Sequence, residues 1–499
     1  MFSKALFSRA ASAAPCATPK AWRGCFAMPL RAKIVARQPE SRSRMSSQAA
    51  SEEDVLFNSH YGLRTIELNR PGKLNSLNGS MIEKITPRLL EWQKSDMANV
   101  VVMKGAGDKA FCAGGDVAAL AKNNVKGPEG QAKSNNYFAH EYALDHLIAT
   151  YQTPYVAFMD GITMGGGVGL SVHAPLRIAT ERSVFAMPET DIGFFPDVGA
   201  SFFLPRMDGA VGTYLALTSD RLKGVDVFYT GIATHYMHST SLPMLESRLA
   251  ELRFMDDDPL DLRLAHISAT IEEYATGLPH DKPMCISGDL RKAIDRCFSK
   301  DSIPRIISAL ETEEQGPDEP IKKWATRTLE TLRQRSPTAV HVSLLQMRMA
   351  EGWSIRKVFE REHLLAAKFM ASPDFTEGVT AKLINKPATQ PKWKPATLDE
   401  IKDSDVRAFL RQPEPEATPE PIKFLTDLDF YQYPHRELGL PREKDVHDLL
   451  KDSIPRSQHD IIKHFVDKTK AKLGVKEVVS EIVYRKTQKG SNEEATWIY

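Results

Sequence analysis

Apolar residues in the first part of the chain fall into short runs separated by stretches of helical spacing. Arg64–Leu68, Asn99–Lys104, Pro154–Phe158 and Leu176–Ala179 read as buried strands. Between them, Ser80–Ser95 and Tyr137–Thr150 place apolar residues three and four apart, which predicts helices. Strands alternating with helices predict parallel pairing in an α/β core over residues 51–260. From residue 206 onward helical spacing dominates, as in Ser336–Glu351 and Ile355–Met370, and residues 261–411 read as a helical C-terminal part. The segment QPEPEATPEP, residues 412–421, holds four prolines and three glutamates and predicts a linker. Residues 422–499 read as an extra tail with short helical patterns, the aromatics Phe424, Phe430, Tyr431 and Tyr433, and a basic end. No solenoid period recurs.

Charge changes this picture at the N-terminus. The 499 residues sum to +1, yet residues 1–50 carry nine lysines and arginines against the single acid Glu40. The rest of the chain is therefore net acidic. An Arg-, Ala- and Ser-rich segment nearly free of acids reads as a transit peptide, with the mitochondrial matrix as the expected destination. No run of 18 apolar residues exists, so no membrane-spanning helix is expected. Cys16 and Cys25 fall in the leader; Cys112, Cys285 and Cys297 are unclustered and suit a reduced compartment without a metal site.

Candidate chemistry concentrates between Gly161 and Gly199, GITMGGGVGLSVHAPLRIATERSVFAMPETDIGFFPDVG. Gly165, Gly166 and Gly167 open a predicted helix, Glu189 follows a strand-like run, and Asp197 comes eight residues later. Glycine lets backbone N–H groups approach a ligand, and a helix start leaves such groups unpaired. A loop of this kind can hold a developing negative charge while carboxylates beside it do acid–base or nucleophilic work. A second glycine site, KGAGDKAFCAGGD over Lys104–Asp116, precedes another predicted helix with Asp116 as its expected cap. Two such loops could converge on one oxygen from opposite sides, although each alone is also simply a tight turn. Nucleotide loops are excluded: the glycines are out of register for GxGxxG, and no GxxxxGK occurs. GxSxG is absent, and HExxH fails because the histidine after His140 and Glu141 is His146. His140, His146 and His173 therefore read as surface or core residues.

LNRPGKLNSLN (Leu68–Asn78), KAFCAGGD (Lys109–Asp116), GITMGGGVGLSVH (Gly161–His173) and FAMPETDIGFFPDVG (Phe185–Gly199) together resemble the crotonase, or enoyl-CoA hydratase/isomerase, superfamily. Within it they are most similar to the 3-hydroxyisobutyryl-CoA hydrolase branch. The resemblance runs from about Val55 to Pro395 and includes RLKGVDVFYTGIATH (Arg221–His235), DFTEGV (Asp374–Val379) and PKWKP (Pro391–Pro395). It implies a crotonase-like spiral of ββα units. It implies an oxyanion hole from the N–H groups of Gly115 and Gly166, with Glu189 and Asp197 as catalytic carboxylates. Substrate contacts fall on Glu141, Gly166, Glu189 and Asp197. No cofactor is implied, because CoA arrives as part of the acyl-CoA substrate. Hydratases of the superfamily carry a first glutamate three residues after the middle glycine of GGG. Here that residue is Gly169, so the resemblance implies hydrolysis rather than hydration. Thr380 and Asn385 stand where the family more often has Arg and Asp.

The tail lies beyond this resemblance. Residues 456–489 hold nine lysines and arginines against four acids. A charge run is commonly a solvated helix face, and it can also attach a chain to a large partner or to RNA phosphates. The chain resembles extended fungal relatives linked to the small subunit of the mitochondrial ribosome, which implies that partner as an alternative or additional role.

Overall fold

The computed structural model describes residues 53–411, 419–452, 454–490 and 493–498. The leader expected over residues 1–50 and the linker positions 412–418 lie outside them. The chain opens on an antiparallel hairpin of β1 (Val55–His60) and β2 (Leu63–Leu68). Helix α1 (Gly79–Trp92) follows, its first turn capped by the Asn78 side chain, which accepts from the Met81 N–H at 2.9 Å.

Strands then come in pairs. They are β3 (Val100–Gly105) with β4 (Ala110–Cys112), β5 (Tyr155–Met159) with β6 (Ile162–Met164), and β7 (Leu176–Ala179) with β8 (Val184–Ala186). Helices α2 (Val117–Asn124) and α3 (Pro128–Ala149) separate the first two pairs, and α4 (Gly166–Val172) separates the second and third. Two short strands, β9 (Leu222–Lys223) and β10 (His235–Tyr236), complete the sheets. The first strand of each pair joins a six-stranded sheet ordered β1-β2-β3-β5-β7-β10, and the second joins a four-stranded sheet ordered β4-β6-β8-β9. This is the crotonase-like spiral, and from β2 to β10 the large sheet is parallel. Gly161 makes one corner between the sheets at φ +92°; a Cβ there would lie 2.6 Å from the Lys109 carbonyl.

The large sheet is covered on both faces, which explains its unbroken apolar strands. Val101, Met103 and Ala157 face α1 and α3 through Met81, Ile85, Leu89, Leu144 and Ile148. Their neighbours Val100, Val102 and Val156 face the opposite way, onto the helices Leu242–Glu251 and Leu260–Glu273. Helix Ile355–Ala371 lies along α3, with Phe359 against Tyr142 and Asn135 bonded to His363 at 3.0 Å.

The tail is built into the body. Ile422, Leu440, Val446, Ile461, Phe465 and Val479 share one buried cluster with Phe202, Phe228 and Phe359. Phe202 touches both Phe430 and Tyr433 edge-on. The basic run is partly consumed in this docking. Lys472 pairs with Glu272 at 2.7 Å, and Arg485 pairs with both Glu481 and Glu443, the latter shared with Arg291. Among the described residues no helix is long and apolar enough to cross a membrane.

Candidate active site

The Gly114–Gly115 loop and the start of α4 meet beneath α3. Leu77 and Gly115 form a bridge that pins the first loop: Leu77 N–H donates to Gly114 C=O and Asp116 N–H to Leu77 C=O, both at 2.8 Å. Gly115 N is left facing α4, only 3.4 Å from where a Cβ of Gly166 would sit. Gly166 is the first residue of α4, so its own N–H has no partner within the helix. Gly165 precedes it at φ +45°, a conformation that favours glycine. The backbone N of Gly115 thus lies beside the first residue of α4.

Asp116 does not cap α2 as expected. It occupies the cap position without a side-chain cap bond, because its carboxylate is drawn to Arg70 at 3.0 Å.

Carboxyl groups crowd the same place. Glu141 Oε1 lies 2.5 Å from the Cβ position of Gly166 and accepts from the Tyr137 hydroxyl at 3.3 Å. Glu189 starts the short helix Glu189–Ile192, and its Oε1 lies 3.2 Å from the Cβ position of Gly165. Its Oε2 is buried without a hydrogen-bond partner among the described residues. Asp197 accepts from the Tyr142 hydroxyl at 2.7 Å. The structure therefore brings together Gly115, Gly166, Glu141, Glu189 and Asp197.

Burial, reinforced by the charge of Asp197, holds Glu141 and Glu189 well above the usual carboxylate range. Burial pushes Asp197 itself up to about 7, against the Tyr142 hydrogen bond, which pulls the other way. Such a cluster stores protons near neutral pH, and each member becomes a strong base once ionised.

Two carboxyl groups escaped the sequence. Asp145 is fully buried, and neither of its oxygens has a hydrogen-bond partner among the described residues. Its Oδ2 lies 2.5 Å from the Cβ position of Gly169. The space that Gly169 leaves vacant is thus filled by a carboxyl group from α3. Burial and then Glu141 keep its proton on well above the usual range. A helical signal existed, since Asp145 stands four residues after Glu141 in HEYALDH, on the same face. Glu362 had no local signal. It reaches across from the helical region to accept from Gly199 N at 2.7 Å and Ser201 N at 3.0 Å. That clamp, with His173 Nε2 bonded to Val198 C=O at 2.7 Å, fixes the turn just after Asp197. Val198 is held there at φ +52°, a strained position for a β-branched residue.

His146 and His173 are core residues, and His140 is exposed. Thr380 begins a wide helical turn to Ile384, whose Lys382 pairs with Asp191 at 3.2 Å.

Fold and site define a crotonase-type protein. Residues 63–410 match the enoyl-CoA hydratase/isomerase family, and the chain belongs to it. A Neurospora crassa protein named small ribosomal subunit protein mS47 is 56% identical over 97% of this chain and 97% of its own length. A mitochondrial 3-hydroxyisobutyryl-CoA hydrolase of Danio rerio is 43% identical over 72% of this chain and 90% of its own length. Among solved structures, a carnitinyl-CoA dehydratase from Mycobacterium thermoresistibile superposes with a TM-score of 0.64 at 33% identity. That match covers 74% of this chain and 99% of the other.

Proposed function

We propose that the chain hydrolyses 3-hydroxyisobutyryl-CoA to 3-hydroxyisobutyrate and CoA in the mitochondrial matrix. The observation that carries this reading is the convergence of two glycine N–H groups with Glu189 and Asp197 in one buried site. The N–H groups of Gly115 and Gly166 receive the thioester oxygen as attack turns it negative. Glu189, once ionised, either attacks the carbonyl carbon to give an anhydride or takes the proton of an attacking water. In both routes the C–S bond breaks and the thiolate leaves with a proton from the carboxyl cluster; in the first, water then hydrolyses the anhydride, releasing 3-hydroxyisobutyrate and restoring Glu189. Asp197 and Glu141 bind substrate beside the reacting carbon, and a site that bonds the 3-hydroxyl rejects acyl groups lacking it.

The test is a thioesterase assay across short acyl-CoAs with and without a 3-hydroxyl. We expect 3-hydroxyisobutyryl-CoA to be preferred at least tenfold in kcat/KM. Equal rates overturn hydroxyl recognition, and absence of hydrolysis in the intact chain overturns the enzyme reading.

A second reading rests on a different observation. The similarity to the Neurospora protein covers 97% of the chain, so it extends through most of the tail. We infer association with the small subunit of the mitochondrial ribosome, alongside hydrolysis or in its place. Lys463, Lys470, Lys476 and Lys489 are tail cations that form no ion pair with the described residues and remain for such a partner. Sedimentation of mitochondrial lysate at low and high salt tests it. Comigration with small subunits is expected, and its absence at low salt overturns the association.

A further inference from the structure

A cavity of about 270 Å³ lies between body and tail, at the C-terminal end of α4. Its walls come from the ends of α3 and α4, the segment around Arg206, and tail residues 428–442. Three of its arginines pair with no carboxylate among the described residues. Arg177 donates to the carbonyls of Ile232 and Ala174. Arg206 donates to four carbonyls, those of Phe202, Glu351, Trp353 and Tyr431. Arg442 donates to the Arg206 carbonyl at 2.9 Å. Carbonyl acceptors orient a guanidinium without cancelling its charge. All three line the cavity together with Tyr433.

Two acids also line the cavity, and the charge of Asp208 acts on Arg442, but neither forms an ion pair with these three arginines among the described residues. Asp208 accepts from Glu443 N and Asp429 from the N–H groups of Arg356 and Phe430. A fourth arginine, Arg436, is already neutralised by Asp445 at 2.6 Å. The rest of the wall is apolar or aromatic, including Phe203, Tyr229 and Ile232.

The geometry points to a binding site for an organic phosphate of about mononucleotide size, held by Arg177 and Arg442 and seated on the aromatic wall. Forked guanidinium groups match phosphate oxygens two at a time, and both retain free N–H donors. The volume exceeds what a bare phosphate fills, and the aromatic wall suits a flat ring. The site is distinct from the glycine loops, which meet at the other end of α4.

The test uses the full chain with AMP and inorganic phosphate as probes at matched ionic strength. Arginines are modified with phenylglyoxal, and the peptides carrying Arg177 and Arg442 are quantified by mass spectrometry. AMP is expected to slow modification of both at least fivefold and to raise the melting temperature. The Arg442→Gln variant is expected to lose the melting shift; should it fail to fold, the protection assay on the unaltered chain decides. Equal modification with and without AMP overturns the site. Equal protection by inorganic phosphate at the same concentration overturns the organic ligand. A saturating short acyl-CoA is expected to leave AMP protection intact. Its loss would show that the cavity belongs to the acyl-CoA site, which also overturns the proposal.

Discussion

At the N-terminal end of α4, Glu141, Asp145, Glu189 and Asp197 are buried with no lysine or arginine among the groups that shift them. At its C-terminal end, seven residues along, Arg177, Arg206 and Arg442 surround a cavity with no carboxylate paired to them. The ends solve the burial of charge differently because their protons differ. A carboxyl group can keep its proton and become neutral, so Asp145 survives in the core with neither oxygen bonded. A guanidinium cannot shed its charge near neutral pH, so each arginine donates to at least one backbone carbonyl. One end is a reservoir of protons and the other a reservoir of permanent charge.

The hardest blow to this contrast falls on Glu189. Glu189→Gln keeps the size of the side chain and removes its basicity. We expect kcat/KM for 3-hydroxyisobutyryl-CoA to fall by about 10²–10⁴, with the AMP response of the arginine cavity unchanged. A variant of near-normal activity would leave the acid end without its assigned chemistry.

Gly169 offers the next test. A side chain there meets the Asp145 carboxyl at 2.5 Å. Gly169→Glu is expected to destabilise the fold by about 1–3 kcal/mol through overpacking, measured by urea denaturation. Adding Asp145→Ala is expected to restore most of the loss, because it empties the contested space. If the double variant is as unstable as the single, Asp145 is not what forbids a side chain at 169.

This pair shows where the sequence was legible. Four of the six strands of the large sheet, β2, β3, β5 and β7, were readable to within a residue, because strands such as Val100–Gly105 and Tyr155–Met159 are apolar on both faces, whereas the edge strands β1 and β10 were not read. The small sheet was not, since Ala110–Cys112, Ile162–Met164 and Val184–Ala186 have three residues each, too few to establish a period. Gly115, Gly166, Glu189 and Asp197 were legible through glycine spacing and family motifs. Gly169 was also legible, but as a missing side chain; that another helix fills its space is a tertiary fact. Glu362, 163 residues beyond Gly199, and the tail arginine Arg442 are brought in only by long-range packing.

The pH dependence of stability sharpens the contrast with a smaller effect. Burial lifts Asp197 to about 7 and Glu362 to about 8, both above their ordinary values. The folded state therefore binds more protons than the unfolded state. The stability these groups confer is complete below about pH 4 and is lost as pH rises through 7 and 8. Asp208, in the arginine cavity, is raised by burial to about 6, so its share is largely gone by pH 7. His173 is pushed down to about 4 by burial, so it opposes this loss between about pH 4 and 6.5 and is silent above that. We expect the melting temperature to fall as pH rises from about 6.5 to 8, and Asp197→Asn and Glu362→Gln each to flatten that slope. A slope unchanged in both variants would place the stored protons elsewhere.

The smallest expected effect asks whether the two ends are independent. Val198 C=O can only accept, so His173 Nε2 carries the proton and Nδ1 accepts from the Tyr433 hydroxyl at 2.7 Å. One chain of two hydrogen bonds thus runs from the arginine cavity to the residue beside Asp197. Tyr433→Phe removes the first bond and leaves a buried ring nitrogen unpaired, at a cost of about 1–2 kcal/mol in stability. If the chain also holds the Asp197 turn, kcat falls a few-fold while KM stays constant, because the strained Val198 backbone gains room to relax. Glu362 grips the same turn from the other side through Gly199 and Ser201, which is why the loss is small. A stability loss with kcat unchanged would show that Glu362 alone fixes the turn and that the tail reaches the acid end only by packing.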